Sequence, residues 1–365
     1  MAVREAPQGP MGKEALLYTA GAGQRIVCTA CARYCKIGEG QVGLCGVRGV
    51  HQGKLWLYVY GRVITGNVDP IEKKPVIHYM PGSKIFSIAT TGCNWLCSYC
   101  QNWDISQRRK VEGIEAEPMD VVTMALKEGC QGIAYTYNQP TIFMEYAHDI
   151  GVEARRKGLF NIFVSNGYDT PETVAMMNDF LDCITVDFKG SGETSFVRKY
   201  INIPNADPIF ATMKEIRDKT KVHMEITDLI VPQVGDSLAA ARELCRFTYD
   251  EFGPDMPIHF LRWHPDYKMQ DLPQTPVATL EAHCQVAKEA GLRYVYIGNV
   301  PGHKWEHTYC PGCGAIAVER YGFEIRGWNL DEHNRCVRCG YSLPLVGTLQ
   351  KTVAEDRFYG VWRGH

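Results

Sequence analysis

Short apolar runs alternate along the middle of the chain with longer segments whose apolar residues recur at helical spacing. The runs Ile85–Thr91, Ile133–Tyr137, Asn161–Asn166, Ile184–Lys189, His223–Val231, Ile258–Trp263 and Tyr294–Val300 predict strands. They are rich in Ile, Val, Phe and Tyr, the residues that fit a buried pleated surface. The intervening segments Met119–Cys130, Thr141–Lys157, Pro171–Leu181, Pro208–Asp218, Ser237–Phe252 and Pro276–Ala290 predict helices. Thr170 followed by Pro171 reads as an N-cap with a first-turn proline, and Gly158 as a C-terminal stop. Strand–helix alternation with short connections predicts parallel strands in an α/β fold, here a partial (β/α) barrel of TIM type. Gly21 and Gly23 lack the third glycine of a dinucleotide-binding fingerprint, which favours the barrel.

The flanks differ from this core, and three segments are expected: 1–82, 83–304 and 305–365. The first carries four cysteines and a glycine-rich, hairpin-like stretch ending at Asp69–Pro75 (DPIEKKP). Taken alone, that run reads as a solvated turn. The last carries four more cysteines and few helical signals. The 45% hydrophobic and 22% charged fractions are those of an ordinary globular protein. A net charge of −2 gives no electrostatic footprint for nucleic acid or an anionic membrane. There is no run of about 18 apolar residues, and the first residues show no secretory pattern. A cytoplasmic, reducing setting is the expectation, where clustered cysteines bind metal more often than they pair.

That matters because the chain has 15 cysteines, an odd count that suits a disulfide framework badly. Cys130, Cys183, Cys245 and Cys284 are isolated and read as small core residues. The other eleven fall into three groups. Cys93, Cys97 and Cys100, spaced Cys-x3-Cys-x2-Cys, begin just beyond the first core strand. Active sites of (β/α) barrels are built on such loops. Three thiolates at this spacing suit three irons of a [4Fe–4S] cube and leave the fourth without a protein ligand. An open position marks a catalytic site. The competing reading is a zinc knuckle, which wants a fourth ligand that is not nearby.

Cys310, Cys313, Cys336 and Cys339 form two Cys-x2-Cys pairs, each followed by glycine. Four thiolates without an open position suit structural Zn²⁺, with a rubredoxin-like iron as runner-up. His303 and His307 read as surface residues rather than further ligands. Cys28, Cys31, Cys35 and Cys45 are compatible with a third metal, as zinc or an auxiliary Fe–S cluster, or with partial ligation. Arg33, Lys36 and Arg48 nearby would offset thiolate charge.

The triad, read with Tyr99 as Cys-x3-Cys-x-aromatic-Cys, resembles the signature of the radical S-adenosylmethionine (SAM) superfamily. The resemblance implies that SAM chelates the open iron. One electron from the cluster would cleave it to methionine and a 5′-deoxyadenosyl radical, which abstracts hydrogen from a substrate. A narrower resemblance runs over roughly residues 28 to 345, in Asp69–Pro75, Pro81-Gly82-Ser83, Gly92–Trp103 (GCNWLCSYCQNW), Thr136–Pro140 (TYNQP), Asn166-Gly167-Tyr168, Val186–Gly190 (VDFKG) and Ile297–Val300 (IGNV). These motifs, in order, look like the AmmeMemoRadiSam-system radical SAM proteins, relatives of pyruvate formate-lyase-activating enzymes. The resemblance implies SAM contacts at Tyr99, Asn138, Gln139, Asn166, Asp187 and Lys189. Gln139 stands where the narrower family usually carries Glu, so its contact with the SAM amine lacks a charge. Asp187 would face the amine or a cation, and Lys189 the carboxylate. His259, Arg262 and His264 end the sixth strand and are weaker candidates.

Together these readings describe a radical SAM enzyme, oxidoreductase-like, with a low-potential electron donor such as flavodoxin or ferredoxin as partner. Its substrate is a protein or a small molecule. One alternative is an activase of the pyruvate formate-lyase type, although the Asp-Gly-Pro-Gly-Ile-Arg-like run of such enzymes is absent. Others are a non-catalytic multi-zinc binding module and an electron carrier, both of which fit the three-ligand site poorly.

Overall fold

The computed structural model describes residues 9–350 and 358–364. The parts of the expected N- and C-terminal segments at 1–8, 351–357 and 365 lie outside them. Among the described residues, nine strands form the central sheet. In chain order they include β1 (Thr65–Pro70), β2 (Lys84–Ala89), β3 (Gly132–Tyr135), β4 (Phe160–Ser165), β5 (Cys183–Lys189), β6 (His223–Ile230), β7 (Ile258–Arg262) and β8 (Val295–Gly298). Strands β2 to β8 are joined by parallel pairings throughout. Each successive pair is connected through one long helix: α1 (Pro118–Lys127), α2 (Met144–Arg156), α3 (Pro171–Phe180), α4 (Asp207–Lys219), α5 (Leu238–Phe252) and α6 (Val277–Glu289), with shorter helical turns at Trp103–Ser106 and Thr194–Phe196. All seven predicted strands and all six predicted helices are present, with ends shifted by a few residues.

Local chemistry explains the boundaries. Thr170 Oγ1 accepts the Thr173 N–H at 3.2 Å, with Pro171 at the first helical position, so α3 starts where predicted. The predicted helix at Thr141–Lys157 is divided. Pro140–Phe143 form a 3₁₀ turn, and α2 begins at Met144. Pro140 has no N–H to give and follows an extended Gln139, which delays the regular helix. Every residue of β2 is buried, as expected of a parallel strand covered on both faces. Cys130, Cys183, Cys245 and Cys284 are all buried among core residues.

The flanks join this sheet more closely than their composition suggests. β1 pairs antiparallel with β2, and a C-terminal strand at Tyr359–Arg363 pairs antiparallel with β1. The Asp69–Pro75 run is therefore not a solvated turn. It ends β1 and passes into a 3₁₀ turn at Ile71–Lys73, with Asp69, Glu72 and Lys74 buried. The hairpin-like stretch is real at Arg48–His51 and Lys54–Leu57. Downstream of β8, strands β9 (Thr308–Tyr309), β10 (Ile316–Tyr321) and β11 (Glu324–Trp328) form a separate antiparallel ribbon. No helix among the described residues is long and apolar enough to cross a membrane.

Candidate active site

The C-terminal ends of the parallel strands surround a cavity of about 1840 Å³, part of it open to solvent. Cys93, Cys97 and Cys100 lie on its wall, in the loop after β2. Open α/β sheets place their ligands at this end of the strands. The loop is held from several sides. Leu96 N–H donates to Ile201 O at 3.1 Å, Ser98 N–H to Tyr200 O at 2.9 Å, and Lys268 N–H to Ser98 O at 3.0 Å. Cys100 Sγ lies 3.2 Å from Ser106 Oγ. Tyr99 is buried and stacks on Phe196 at 5.7 Å between ring centroids. This clamps the turn between Cys97 and Cys100.

Gly92 shows why the loop begins as it does. Its φ is +89°, and a Cβ there would lie 2.4 Å from the Cys45 carbonyl oxygen. Only glycine lets the N-terminal segment approach the triad this closely.

The six expected SAM contacts all line the same cavity. Asn138 Nδ2 donates to Thr90 O and Gly92 O, each at 2.8 Å, tying the loop after β3 to the start of the triad. Its Oδ1 is buried without a hydrogen-bond partner. Gln139 is fully engaged by the protein. Its Oε1 accepts the Asn166 N–H at 2.7 Å, and its Nε2 donates to Ser165 Oγ at 2.8 Å and Asp169 Oδ1 at 2.9 Å. Asn166 Nδ2 donates to Asn94 Oδ1 at 2.8 Å. Asp187 and Lys189, two apart on β5 and so on one face, pair at 2.6 Å. Thr227 on β6 donates to the other Asp187 oxygen at 2.8 Å.

Of the weaker candidates, Arg262 and His264 line the cavity. His259 is a buried structural group: its Nε2 lies 2.8 Å from Glu225 Oε2, and its ring stacks on Tyr296. The sequence reading missed four contributors to the cavity and its support. Lys73 and Lys74 reach the wall from beyond β1, and Phe323 from the turn between β10 and β11. Asp169 lies behind the wall, accepting from Gln139, Thr141 and Ser165. Burial pushes its carboxyl up to about 6, against the pull of these hydrogen bonds. Charge period alone could not reveal these residues, because each depends on a long-range contact.

Away from this cavity, Cys310, Cys313, Cys336 and Cys339 bring their four sulfurs within 4.8 Å of one another. Cys310 and Cys339 are 3.5 Å apart, and Cys313 and Cys336 3.8 Å. Tetrahedral bonds of ~2.3 Å to one ion would set such sulfurs about 3.8 Å apart, so the group fits a single metal ion. His303 and His307 are not part of it and are half-buried rather than on the surface. His303 Nε2 lies 3.2 Å from Glu281, and His307 Nδ1 accepts the Arg320 N–H at 3.1 Å.

A nearly all-parallel α/β sheet with three cysteines beyond the C-terminal end of one strand has counterparts among known proteins. The radical SAM superfamily model matches residues 87–248. The uncharacterized protein MJ0808 of Methanocaldococcus jannaschii is 40% identical over 337 residues, covering 92% of this chain and 99% of its own. The chain belongs to the radical SAM superfamily. Among solved structures, a domain of pyruvate-formate lyase-activating enzyme from Bacteroides vulgatus aligns with a TM-score of 0.40 and 16% identity, over 46% of this chain and 99% of its own. A radical SAM methyltransferase from Sphaerobacter thermophilus aligns with a TM-score of 0.46 and 13% identity, over 60% and 67%.

Proposed function

We propose that Cys93, Cys97 and Cys100 hold a [4Fe–4S] cluster whose open iron takes SAM, and that the surrounding cavity takes a substrate for hydrogen abstraction. The carrying observation is the position of three sulfurs on one wall of the strand-end cavity, facing polar groups from β3, β4 and β5. They do not converge as the C-terminal four do, which suits a cluster better than a single ion. When bound, this cofactor pair supplies one-electron cleavage of the sulfonium and a 5′-deoxyadenosyl radical.

The chain's own residues bind, orient and exclude water. Asn138 Oδ1 is a buried acceptor without a partner and suits a donor on the ligand. The Asp187–Lys189 pair offers a carboxylate to an amine and an ammonium to a carboxylate, the two ends of an amino-acid moiety. Gln139 acts from behind, fixing the Asn166 backbone rather than meeting the ligand directly. Tyr99, Trp95 and Phe196 shut water away from the sulfur loop.

The ordered motifs from Asp69 to Val300 support membership of the AmmeMemoRadiSam-system group over a plain glycyl-radical activase. The reading carries a low-potential electron donor of the flavodoxin or ferredoxin type as partner. It also carries a structural Zn²⁺ in the C-terminal quartet, with a rubredoxin-like iron as the runner-up, and an oxidoreductase-like reaction in the cytoplasm.

The test is anaerobic reconstitution, assay of iron, sulfide and zinc, then addition of dithionite and SAM. Formation of 5′-deoxyadenosine by the wild type and not by Cys97→Ala is expected. No 5′-deoxyadenosine from the wild type, or as much from Cys97→Ala, overturns the reading.

A further inference from the structure

We infer that Cys28, Cys31, Cys35 and Cys45 hold a second [4Fe–4S] cluster, closed by four protein thiolates and distinct from the triad's. All four line one small, partly open cavity, together with Arg33, Arg48 and Asn94.

The local fold builds this site. Cys28 N–H donates to Cys35 O at 3.0 Å, and Tyr34, at a φ of +44°, turns the chain back to Cys31 O at 3.1 Å. Gly46 N–H donates to Gly43 O at 3.0 Å, which presents Cys45 from the opposite side. The backbone N–H groups of Ala30, Arg33 and Leu44 face the sulfurs of Cys28, Cys31 and Cys35. Fixed N–H···S bonds of this kind are how proteins hold and tune thiolate-ligated clusters.

Geometry separates a cluster from zinc. A single tetrahedral ion draws its four sulfurs to about 3.8 Å, and the C-terminal quartet has that spacing. The N-terminal four do not gather in this way, although they line a common cavity. An iron–sulfur cube binds one thiolate at each metal corner, so its ligands are set around a volume and not around a point.

Charge fits a four-thiolate metal site of either kind. A four-thiolate cluster is anionic, and a buried anion needs cations or donors beside it. The Arg48 guanidinium is 1% exposed and lies on the cavity wall, held by Glu145. Arg33 donates through Nε to Asn94 O at 2.9 Å, while its Nη2 is buried without a hydrogen-bond partner. Asn94 is common to both sites: it lines this cavity, and its Oδ1 lies 3.8 Å from Cys93 Sγ.

The inference stands apart from the role proposed for the triad, and its test removes the triad. The full chain carrying Cys93→Ala, Cys97→Ala and Cys100→Ala is purified and reconstituted anaerobically. It is expected to keep about four irons and four sulfides, half of the wild-type content, and an EPR signal after reduction that SAM does not alter. No iron in this variant, or zinc in its place beyond that of the C-terminal quartet, overturns the inference. A second variant guards against misfolding of the first. The pair Cys31→Ala and Cys35→Ala is expected to halve the iron of the otherwise intact chain. Undiminished iron in that variant overturns the inference as well.

Discussion

Lys74 Nζ lies 2.7 Å from Asp69 Oδ2, and both side chains are almost wholly shut away from solvent. Lys73 binds the other Asp69 oxygen at 2.6 Å, and the Tyr137 hydroxyl donates to Oδ2 at 2.6 Å. The Lys74 ammonium also stands 4.6 Å from the centre of the Tyr137 ring. The end of β1 is thereby tied to the loop that carries Asn138 and Gln139. Burial pushes the Lys74 ammonium down to about 8, against the pull of Asp69. Burial also opposes the charge on Asp69, but Lys74, Lys73 and Tyr137 together hold its carboxyl below the usual range.

Removing one partner leaves the other charge buried and unbalanced. Asp69→Asn is expected to cost about 3–5 kcal/mol in urea unfolding. Adding Lys74→Met should restore part of that loss. An unchanged unfolding midpoint for Asp69→Asn would show that the pair does not hold this corner. The Asp69 contribution is full above the ordinary carboxylate range and fades as pH falls below it.

Asp169 has the opposite sign. Its folded carboxyl titrates at about 6 against an ordinary 3.8, so the folded chain binds the proton more tightly. Its contribution is present at low pH and is lost as pH rises through about 6. Over that window the group accounts for roughly 3 kcal/mol, at about 1.36 kcal/mol per pH unit. Unfolding of wild type and Asp169→Asn should be compared at pH values either side of the window. The stability difference between them should shift by that order, and a constant difference would contradict the assignment.

A metal held by Cys310, Cys313, Cys336 and Cys339 is expected to be separable from the centre proposed at the triad. Cys313→Ala is expected to lower zinc from about one per chain to none and to lower thermal stability. Iron content and 5′-deoxyadenosine yield should persist at a temperature where the variant remains folded. Loss of iron as the direct result would refute this division of roles.

Gly92 is a point of contact that tolerates no side chain. Gly92→Ala places a methyl 2.4 Å from the Cys45 carbonyl oxygen and strains a φ of +89°. A cost of about 1–3 kcal/mol from backbone strain alone is expected. Iron per chain after reconstitution should fall, because the segments carrying Cys45 and Cys93 are pushed apart. Wild-type iron and stability together would show that the contact is dispensable.

The strand–helix core was legible because periodicity is a local property. Val, Ile and Phe runs at β2 to β8, and caps such as Thr170-Pro171, carry their message within a few residues. The Asp69–Pro75 run was not, since its burial depends on β2 at one side and on Tyr137, some 70 residues on, at the other. The triad's place at the strand ends follows from the pattern, but the engagement of Gln139 by Asn166 and Asp169 does not. A single sequence names the amide and leaves open which neighbours occupy it. His259 shows the reverse case, a histidine at a strand end whose partner, Glu225, takes it out of the cavity.

Phe323 gives the C-terminal ribbon a meaning beyond its cysteines. The ribbon's turn lines part of the strand-end cavity, so the four cysteines that gather the ribbon's two ends also help to fix where that wall stands. Relatives that kept the sulfur chemistry and exchanged only this turn would admit guests of a different shape. Selectivity can therefore drift in one short hairpin while the parallel sheet and its three thiolates stay fixed.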